Sequence, residues 1–456
     1  MFKPLLLAFS LLCCASPALA DCKFPQDVAD NARKWIDSGY GAGVVMATID
    51  NKGTPCYFKY GVMKYGENKA VDENTLFEIG SITKVFTALT MARMAEQGQI
   101  KLDDSYRNLL PQAPLPKGAD REITLTDLAS QTSGLPRLPD NFKPADMGNP
   151  YADYSAEQLW DFLGHYTLTR PVGSKYEYSN LGFGLLGQAL SSKAGKTYET
   201  LVSEQVINPL GLHDTGITLA RNQLMRFASG HTGRIPVPYW DLPTLAGAGA
   251  LRSSAADMVT FISAAMGAKA TPLAKAFTQT ETPRAETGAP GLKIGLGWHL
   301  LTVDKNQVIF HDGGTGGFLS FVGFDPAQKK GVVGLANSST FPVNELALHV
   351  ILPSTTMPTP RVEISISEAE MDKLIGNYYF KDIGLKASIR REGKKLMASF
   401  VGQPSVELHA ATPLSFFLTE TEANLEFLID AKGNITGIKL TQAGQTFMGE
   451  KQPLGR

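Results

Sequence analysis

Ser81 and Lys84 stand three residues apart at the start of a segment whose apolar residues have helical spacing. On a helix, residues three apart lie on one face, so the Lys84 amine can reach the Ser81 hydroxyl. A serine hydroxyl becomes a good nucleophile when a neighbouring group takes its proton, and a lysine can do so once burial lowers its pKa. The pair therefore predicts a nucleophile and its base. The same spacing also arises when a serine caps a helix and the lysine is exposed, so the pair needs support from elsewhere in the chain.

Two further segments supply the other groups that acyl transfer uses. In Tyr178-Ser179-Asn180, the tyrosine hydroxyl can pass a proton to a leaving group, and the asparagine amide can donate a hydrogen bond to a substrate carbonyl. The run from His311 to Phe318 is rich in glycine, which lets the backbone approach a ligand closely. A free N–H in that run can form one half of an oxyanion hole, with the Ser81 N–H as the other half.

The order of these segments carries more information than any one of them. They follow one another as S-x-x-K, Y-x-N and a basic residue followed by x-G, which is the order in the penicillin-recognising serine enzymes. Over about residues 25–352 the chain resembles the class C β-lactamases and their relatives, namely low-molecular-weight penicillin-binding proteins, DD-peptidases and β-lactamase-like esterases. The segments similar to family motifs are Phe77 to Lys84, Thr132 to Pro136, Tyr178 to Asn180, Gly295 to Trp298, His311 to Phe318 and Leu335 to Asn337.

The resemblance implies a role for each catalytic residue. Ser81 becomes the acylated nucleophile, Lys84 acts as its base, and Tyr178 is the proton shuttle. The backbone N–H groups of Ser81 and Gly314 form the oxyanion hole.

The substrate contacts implied by the resemblance come from Asn180, which meets an amide group, and from His311 and Gly313 of the third motif. This chemistry needs no cofactor. The histidines show neither H-E-x-x-H nor another close spacing typical of zinc ligands, so the sequence also predicts no metal site.

The sequence departs from the β-lactamase pattern at two places. His311-Asp312-Gly313 stands where the β-lactamases have Lys-Thr-Gly, and that lysine helps to bind a substrate carboxylate. A histidine is only partly charged near neutral pH, so affinity for carboxylate-bearing substrates is expected to weaken above about pH 6.5. Asp312 would repel a carboxylate if it pointed inward. Leu138 lies near the position of a glutamine that contacts the substrate amide in the β-lactamases.

Composition and charge exclude several other classes of protein. The chain has 456 residues, of which 43% are hydrophobic and 19% charged, and its net charge is -1. A nucleic-acid-binding protein would carry a basic surplus, and a disordered chain would have fewer apolar residues. No stretch after the N-terminal segment is long and apolar enough to span a membrane. The expected partner is a small-molecule or peptide substrate, and the oligomeric state is left open.

The first residues are typical of a signal peptide. Lys3 precedes an apolar run from Leu5 to Leu12, and Ala18-Leu19-Ala20 is a small-residue cleavage site. Residues 1–20 are therefore predicted to be removed, which indicates a periplasmic or secreted bacterial protein. Of four cysteines, Cys22 and Cys56 remain after cleavage, and in an exported chain they can form one disulfide. Two separate thiols are the alternative.

Hydrophobic spacing predicts the elements that position these residues. Strands flank a long region of short helices and Pro/Gly-rich loops between about 100 and 290, so the strands at both ends are expected to form one antiparallel sheet beside an all-helical lobe. The predicted helices span residues 24–38, 81–97 and 343–352, and the predicted strands span 43–49, 57–62, 294–301, 307–310, 318–324 and 331–335.

The C-terminal part of the chain has a different pattern. Prolines in a Ser/Thr-rich stretch predict a linker over 353–361, after a hydrolase domain at 21–352. Eight short strands separated by turns then predict a small β-meander or barrel over 362–456. This part resembles a lipocalin-like domain appended to many such hydrolases, which class C β-lactamases lack. The predicted fold class is α+β, with a β-lactamase/DD-peptidase-like domain and this small all-β domain.

These observations favour an exported serine hydrolase that forms an acyl-enzyme at Ser81 and acts on β-lactams or D-amino-acid peptides of the cell-wall type. A carboxylesterase acting on small acyl esters is an alternative, which His311 favours. A second alternative is a non-catalytic binding protein with the same fold. Against it, Ser81, Lys84, Tyr178 and Asn180 are all present, and a protein without activity need not keep all four.

Overall fold

The computed structural model describes residues 22–403, 405–442 and 445–453. The predicted signal peptide, residues 1–20, lies outside this part of the chain. None of the helices in the described ranges is long and apolar enough to cross a membrane.

The α-helices of the described chain are numbered in sequence order. They are α1 (Gln26–Asp37), α2 (Thr83–Glu96), α3 (Tyr106–Leu109), α4 (Leu125–Ala129), α5 (Ala156–His165), α6 (Asn180–Ala194), α7 (Tyr198–Val202), α8 (Asn208–Leu210), α9 (Arg221–Leu224), α10 (Ala246–Gly249), α11 (Ala255–Ala265), α12 (Ala274–Glu281), α13 (Val343–Ile351) and α14 (Glu368–Leu374). Short 3₁₀ turns cover Gly80–Ile82 and Lys381–Ile383, and Ser203–Ile207 is a π-helical turn.

The strands are numbered in the same way. They are β1 (Gly43–Ile49), β2 (Pro55–Gly61), β3 (Leu76–Glu78), β4 (Gly230–Thr232), β5 (Ile235–Val237), β6 (Arg252–Ser254), β7 (Ala285–Glu286), β8 (Leu292–Ile294), β9 (His299–Val303), β10 (Asn306–Gly314), β11 (Leu319–Asp325), β12 (Lys330–Ala336), β13 (Gly376–Phe380), β14 (Leu385–Glu392), β15 (Lys395–Phe400), β16 (Val406–Thr412), β17 (Ser415–Phe417), β18 (Ala423–Ile429), β19 (Ile435–Gln442) and β20 (Gln445–Gln452).

One large antiparallel sheet joins strands from distant parts of the sequence. Its order is β2-β1-β12-β11-β10-β9-β8-β7, and Val44 of β1 lies opposite Ala336 of β12. Successive side chains of a strand point to opposite faces, so Val45 and Ala47 join one hydrophobic core while Val44 and Met46 join a second. The predicted α+β fold, with a sheet built from both ends of the domain, is confirmed.

The helix that follows Ser81, α2, is buried on nearly every side. Every residue from Thr83 to Ala92 is buried, and the helix contacts α6, α10 and α12. A helix that is apolar all round belongs in the core of a large domain. The 3₁₀ turn before it, Gly80–Ile82, contacts β10, β11 and α10. Ser81 therefore lies where the large sheet meets the helices.

The structure divides one element that the sequence predicts as continuous. In place of a strand over 294–301, β8 ends at Ile294 and β9 begins at His299. Gly297 between them has φ +79°, and a Cβ there would lie 3.1 Å from the Lys84 carbonyl oxygen. The chain leaves the sheet here, and the absence of a side chain at Gly297 lets its backbone pack closely against α2.

The C-terminal strands β13 to β20 form a closed antiparallel barrel, in which β13 pairs with β20. Its interior is a separate hydrophobic core that includes Tyr378, Phe416 and Leu425. Met371 and Leu374 of α14 are buried in that same core. The eight strands predicted from the sequence all occur in this barrel, since their alternating patterns are local. The exact boundaries of the domains and linker stay a prediction.

A disulfide joins Cys22 to Cys56, which lie 34 residues apart in the sequence. It fastens the segment before α1 to strand β2. The predicted pairing is confirmed, and the alternative of two separate thiols is wrong.

Candidate active site

The Lys84 side chain is buried beside the Ser81 hydroxyl. Its Nζ lies 2.8 Å from Ser81 Oγ, 2.9 Å from Asn180 Oδ1 and 2.7 Å from the Ala248 carbonyl oxygen. The lysine is 0% exposed. Burial lowers its pKa well below the ordinary value of 10.5, and the positive charge of Arg137 adds to this effect. A larger fraction of Lys84 is therefore neutral, and so able to accept a proton, than of an exposed lysine at the same pH.

The Tyr178-Ser179-Asn180 segment is fixed through its central residue. Ser179 caps α6, where its Oγ accepts a hydrogen bond from Gly182 N. Its own N–H donates to Gln131 Oε1 at 2.7 Å, and its hydroxyl donates to the Pro136 carbonyl at 2.6 Å. A buried residue held at three points leaves its neighbours, Tyr178 and Asn180, little freedom to move away from Lys84.

Tyr178 lies against two basic side chains of the site. Lys84 Nζ is 4.8 Å from the centroid of its ring, and the Arg137 guanidinium carbon is 5.0 Å from the same centroid. Burial raises the pKa of Tyr178, and the adjacent Ser81 hydroxyl partly offsets this rise. The phenol is therefore neutral at ordinary pH and lies next to the nucleophile, as a group that passes on a proton requires.

The end of β10 packs directly on the turn that carries Ser81. A Cβ on Gly313 would lie 2.1 Å from the Ile79 carbonyl oxygen, and a Cβ on Gly80 would lie 2.7 Å from Gly314 N. Only glycine allows so close an approach of two backbones. The cleft next to this contact is lined by Ser81, Gly314, Asn180, Tyr151 and Trp240, among others.

His311 is 1% exposed and lies between Tyr178 and His299. Its ring centroid is 6.4 Å from that of Tyr178 and 5.1 Å from that of His299. Burial lowers the pKa of His311 well below 6.5, and His299 and Lys84 lower it further. The imidazole is therefore neutral near pH 7. The lowered pKa of His311 does not fit the partial charge expected from an ordinary histidine. The expected weakening of carboxylate binding above about pH 6.5 stays a prediction.

Asp312, the other unusual residue of this motif, is half-buried. Its Oδ2 accepts a hydrogen bond from Asn344 Nδ2 at 3.3 Å. Its negative charge raises the pKa values of Lys84 and Tyr178, so the carboxylate acts on the site electrostatically. Leu138, the second departure from the β-lactamase pattern, is half-buried and packs against the main core.

Arg137, which immediately follows the Thr132–Pro136 segment, was not among the residues predicted from the sequence. Its carbonyl oxygen accepts the N–H of Asn180 at 3.0 Å, and its exposed side chain lies over the Tyr178 ring. Within the described chain its guanidinium makes no salt bridge. A cation directly after a family motif was the available sequence feature that could have identified it.

Tyr176 and His299 were also missed. The Tyr176 hydroxyl lies 3.1 Å from His299 Nε2, and the His299 ring lies next to the His311 ring. One potential ligand atom each of His299, His311 and Asp312 lies within 4.8 Å of the others. Their sequence spacing matches no common metal motif, because two adjacent strands rather than one segment bring them together.

All the predicted catalytic and substrate-binding residues lie in this one region, namely Ser81, Lys84, Tyr178, Asn180, His311, Gly313 and Gly314. The roles assigned to them in catalysis stay predictions. The arrangement contains a nucleophile, a base of lowered pKa, a neutral proton carrier and backbone amides beside the nucleophile, which are the parts that acyl transfer needs.

Known proteins share this architecture. The chain is 29% identical over 351 residues to the D-alanyl-D-alanine-carboxypeptidase/endopeptidase AmpH of Escherichia coli (strain K12), covering 73% of this chain and 89% of that protein. It is 29% identical over 348 residues to a beta-lactamase of Pseudomonas fluorescens, covering 68% and 93% of the two chains.

Solved structures agree with these sequence relatives. A class C beta-lactamase matches with a TM-score of 0.63 and 23% identity, covering 73% of this chain and 97% of that one. The beta-lactamase/D-alanine carboxypeptidase from Yersinia pestis, complexed with citrate, matches with a TM-score of 0.61 and 27% identity, covering 72% and 96%.

A model of the family described as Beta-lactamase matches residues 29–352. This match covers most of the chain, and it spans the large sheet, α2 and the helical lobe, which together hold Ser81 and Lys84. The chain therefore belongs to the beta-lactamase family and is a serine hydrolase.

Proposed function

We propose that this protein is an exported hydrolase that forms an acyl-enzyme through Ser81 and acts on β-lactams or on D-amino-acid peptides of the cell-wall type. The observation that carries the proposal is the fully buried Lys84 amine, whose Nζ lies 2.8 Å from Ser81 Oγ. Burying a lysine costs folding free energy, because its charged form loses its hydration. A lysine that is nevertheless buried against a serine hydroxyl therefore indicates a functional role.

In the first step the neutral Lys84 amine takes the hydroxyl proton of Ser81. A neutral amine has two N–H donors and one lone pair. Asn180 Oδ1 at 2.9 Å and the Ala248 carbonyl oxygen at 2.7 Å accept the two N–H groups, so the lone pair is left for the Ser81 O–H. As the proton moves, Ser81 Oγ attacks the substrate carbonyl carbon.

The negative charge that develops on the substrate oxygen is held by the backbone N–H groups of Ser81 and Gly314. The contact between Gly80 and Gly314 supports this assignment, because it fixes the spacing of the two segments. A rigid pair of donors stabilises the tetrahedral intermediate without reorganising during the reaction.

Tyr178 then carries the proton to the leaving group. Its hydroxyl stays protonated at working pH because burial raises its pKa, and it lies beside both Ser81 and Lys84. Asn180 donates to the substrate amide, with Tyr151 as the acceptor of its Nδ2 in the free enzyme. Water releases the acyl group from Ser81 in the second half of the reaction.

Arg137 supports a substrate that carries a carboxylate. The lysine of the β-lactamase motif is absent, and His311 is neutral, so neither supplies a positive charge. Arg137 is exposed and lies over the Tyr178 ring, and a guanidinium binds a carboxylate through two parallel hydrogen bonds. β-Lactams and the C-terminus of a peptide both present such a group. Two of the similar proteins are named as carboxypeptidases, which supports the peptide.

A carboxylesterase acting on small neutral esters is the second candidate. The neutral imidazole of His311 favours the esterase, because the third motif then has no positive charge that could bind a substrate carboxylate. The preference of the enzyme between matched charged and uncharged esters separates the two candidates. A binding protein without activity is the third candidate, and any turnover that depends on Ser81 would exclude it.

Export and the domain division belong to the same proposal. The signal-peptide pattern at residues 1–20 and the Cys22–Cys56 disulfide both support an oxidising compartment outside the cytoplasm. We assign the hydrolase domain to 21–352, a linker to 353–361 and the barrel domain to 362–456. Edman sequencing of the secreted chain tests the cleavage site, which is expected after Ala20.

Intact-mass spectrometry after mixing with benzylpenicillin tests the chemistry, with Ser81→Ala as the control. A lasting adduct on Ser81 alone indicates a penicillin-binding peptidase, and rapid loss of penicillin without an adduct indicates a β-lactamase. Turnover of a p-nitrophenyl ester with neither result supports the esterase. Equal activity of Ser81→Ala and the unmodified enzyme would exclude the Ser81 mechanism altogether.

A further inference from the structure

We propose that His299, His311 and Asp312 form a binding site for a divalent transition-metal ion such as Zn²⁺, and that its occupation reversibly inhibits the hydrolase. One ligand atom of each of these residues lies within 4.8 Å of the others. The binding part of this proposal is independent of the Ser81 mechanism, whereas the inhibition rests on the proposed function.

Strand pairing creates the cluster. His299, the first residue of β9, lies opposite Phe310 of β10, and His311 and Asp312 follow directly. Since β9 begins at His299, no strand of the described residues pairs with β10 on that side beyond Phe310. Asp312 can therefore lie close to the His299 ring, whose centroid is 5.1 Å from that of His311.

In each imidazole one nitrogen is occupied and the other is left for a metal. His311 Nδ1 lies 2.5 Å from the Asp312 carbonyl oxygen, so this nitrogen carries the proton and Nε2 has the lone pair. His299 Nε2 lies 3.1 Å from the Tyr176 hydroxyl, which leaves Nδ1. Metal-binding histidines nearly always have such a partner on the second nitrogen, because it fixes the ring and the tautomer.

The buried His299 Nδ1 atom also indicates a missing ligand. His299 is only 8% exposed, and within the described chain its Nδ1 has no hydrogen-bond partner. A buried polar atom without a partner costs about 1–3 kcal/mol. A metal ion at Nδ1 would satisfy this atom.

The ligand set is typical of zinc. Two imidazoles and one carboxylate, with a fourth position open, are found in zinc sites, whereas Mg²⁺ and Ca²⁺ prefer oxygen ligands. Asn344 Nδ2 donates to Asp312 Oδ2 and orients the carboxylate. Ligand atoms around tetrahedral zinc lie about 3.4 Å apart, given bonds of about 2.0–2.1 Å. The ligand atoms of the cluster lie within 4.8 Å of one another, so some must move closer to bind zinc. The half-buried Asp312 side chain is the one that can rotate to shorten this distance.

Occupation of this site affects the reaction centre through charge. His311 is next to Tyr178, with ring centroids 6.4 Å apart, and Lys84 Nζ is 4.8 Å from the same tyrosine ring. A dication bound to His311 repels the positive charge that forms on Lys84 when its amine takes the Ser81 proton, so it opposes the first step of the reaction. Hydrolysis should therefore fall as the site fills.

Calorimetric titration of the untagged mature protein with Zn²⁺, together with the visible absorption spectrum of added Co²⁺, tests the binding. We expect one ion per chain and the same affinity in Ser81→Ala. His299→Gln and Asp312→Asn each should weaken binding by about 10-fold or more. His165→Gln is the matched control, because His165 is exposed on α5 and its side chain is 77% accessible, and it should bind as the unmodified protein does.

Hydrolysis measured with and without Zn²⁺ tests the consequence, with recovery after addition of EDTA. Equal affinity in the unmodified protein, His299→Gln and Asp312→Asn would overturn the site, as would the absence of binding to a folded protein. Binding without loss of activity would overturn the inhibition. If Ser81→Ala shows that the proposed function is wrong while Zn²⁺ binding still depends on His299, the metal site stands alone.

Discussion

Gly80 and Gly314 touch through their backbones beside the nucleophile. A Cβ on Gly80 would lie 2.7 Å from the Gly314 nitrogen and 2.8 Å from its carbonyl oxygen. The two residues are far apart in the sequence, yet their contact sets the distance between the turn that carries Ser81 and the end of β10. Any atom added between them must displace the Gly314 N–H that we assign to the oxyanion hole.

Gly80→Ala should therefore reduce kcat/KM on every substrate by about 10²-fold or more, the loss seen when one oxyanion donor is removed. Gly98→Ala is the control, since Gly98 also has positive φ, +70°, but a Cβ there meets no atom of the described chain within 4 Å. Both variants should lose about 1–2 kcal/mol of stability from the strained φ, and Gly80→Ala should lose more because its Cβ also meets the Gly314 backbone. Equal activity of the two variants by steady-state kinetics would contradict the assignment of Gly314.

Lys84 predicts the acidic side of the pH profile. Its pKa is lowered by burial, so the amine is neutral above the lowered pKa and becomes protonated as the pH falls through it. We expect kcat/KM to fall on the acidic side with a single protonation, because a protonated Lys84 cannot accept the Ser81 proton. Lys84→Arg, which keeps the charge but cannot lose it, should lose activity at all pH values.

The pH dependence of kcat/KM for an uncharged ester measures this effect without titration of the substrate. An acidic limb that persists unchanged in Lys84→Arg would show that another group is responsible. Circular dichroism at each pH separates loss of catalysis from loss of the fold.

Arg137→Ala should discriminate between substrates. A charge-assisted hydrogen bond is worth about 1.5–3 kcal/mol, so kcat/KM for a carboxylate-bearing substrate should fall by about 10-fold to 100-fold. The matched methyl ester of that substrate should be affected little, and Arg137→Lys should recover part of the loss. If the charged substrate and its ester lose activity equally, Arg137 acts on Tyr178 rather than on the substrate.

Asp127 predicts how stability depends on pH. It is 5% exposed, and its oxygens accept hydrogen bonds from Arg121 at 2.6 and 2.8 Å and from Thr124 N at 2.8 Å. Burial by itself raises the pKa of this carboxyl, but the hydrogen bonds from Arg121 and Thr124 outweigh burial and lower it. The folded pKa is thus below the unfolded pKa. The stabilisation is present above the unfolded value and is lost as the pH falls through the folded value.

Asp127→Asn should consequently lower the free energy of unfolding by about 1.5–3 kcal/mol at pH 7, the range for a hydrogen bond to a charged group, because Asp127 is buried but its partner Arg121 is exposed. The difference from the unmodified protein should shrink as the pH falls below about 4. Urea unfolding at several pH values measures both quantities, with Asp161→Asn, at a side chain 63% accessible, as the control. A difference that does not change with pH would contradict the role of the ionised carboxylate.

Local patterns were sufficient for much of the fold. The strand predicted over 43–49 is β1 as observed, and all eight strands of the barrel were predicted, since alternation of side chains is a property of a few neighbouring residues. The strand predicted over 294–301 failed because the backbone at Gly297 turns to pack on α2. That packing involves a helix about 200 residues away, which no local window contains.

The sequence by itself determined which residues have the chemistry: a serine and lysine at helical spacing, a tyrosine and an asparagine, and a glycine-rich strand end in family order. The tertiary structure decided how they act. It brought Asn180 and Ala248 to Lys84 across 96 and 164 residues of sequence. It also placed Arg137 over the Tyr178 ring and the His299 ring beside that of His311. The physical reason is that burial and contacts between distant segments set protonation states, so the neutral forms of Lys84 and His311 follow from packing that no single segment specifies.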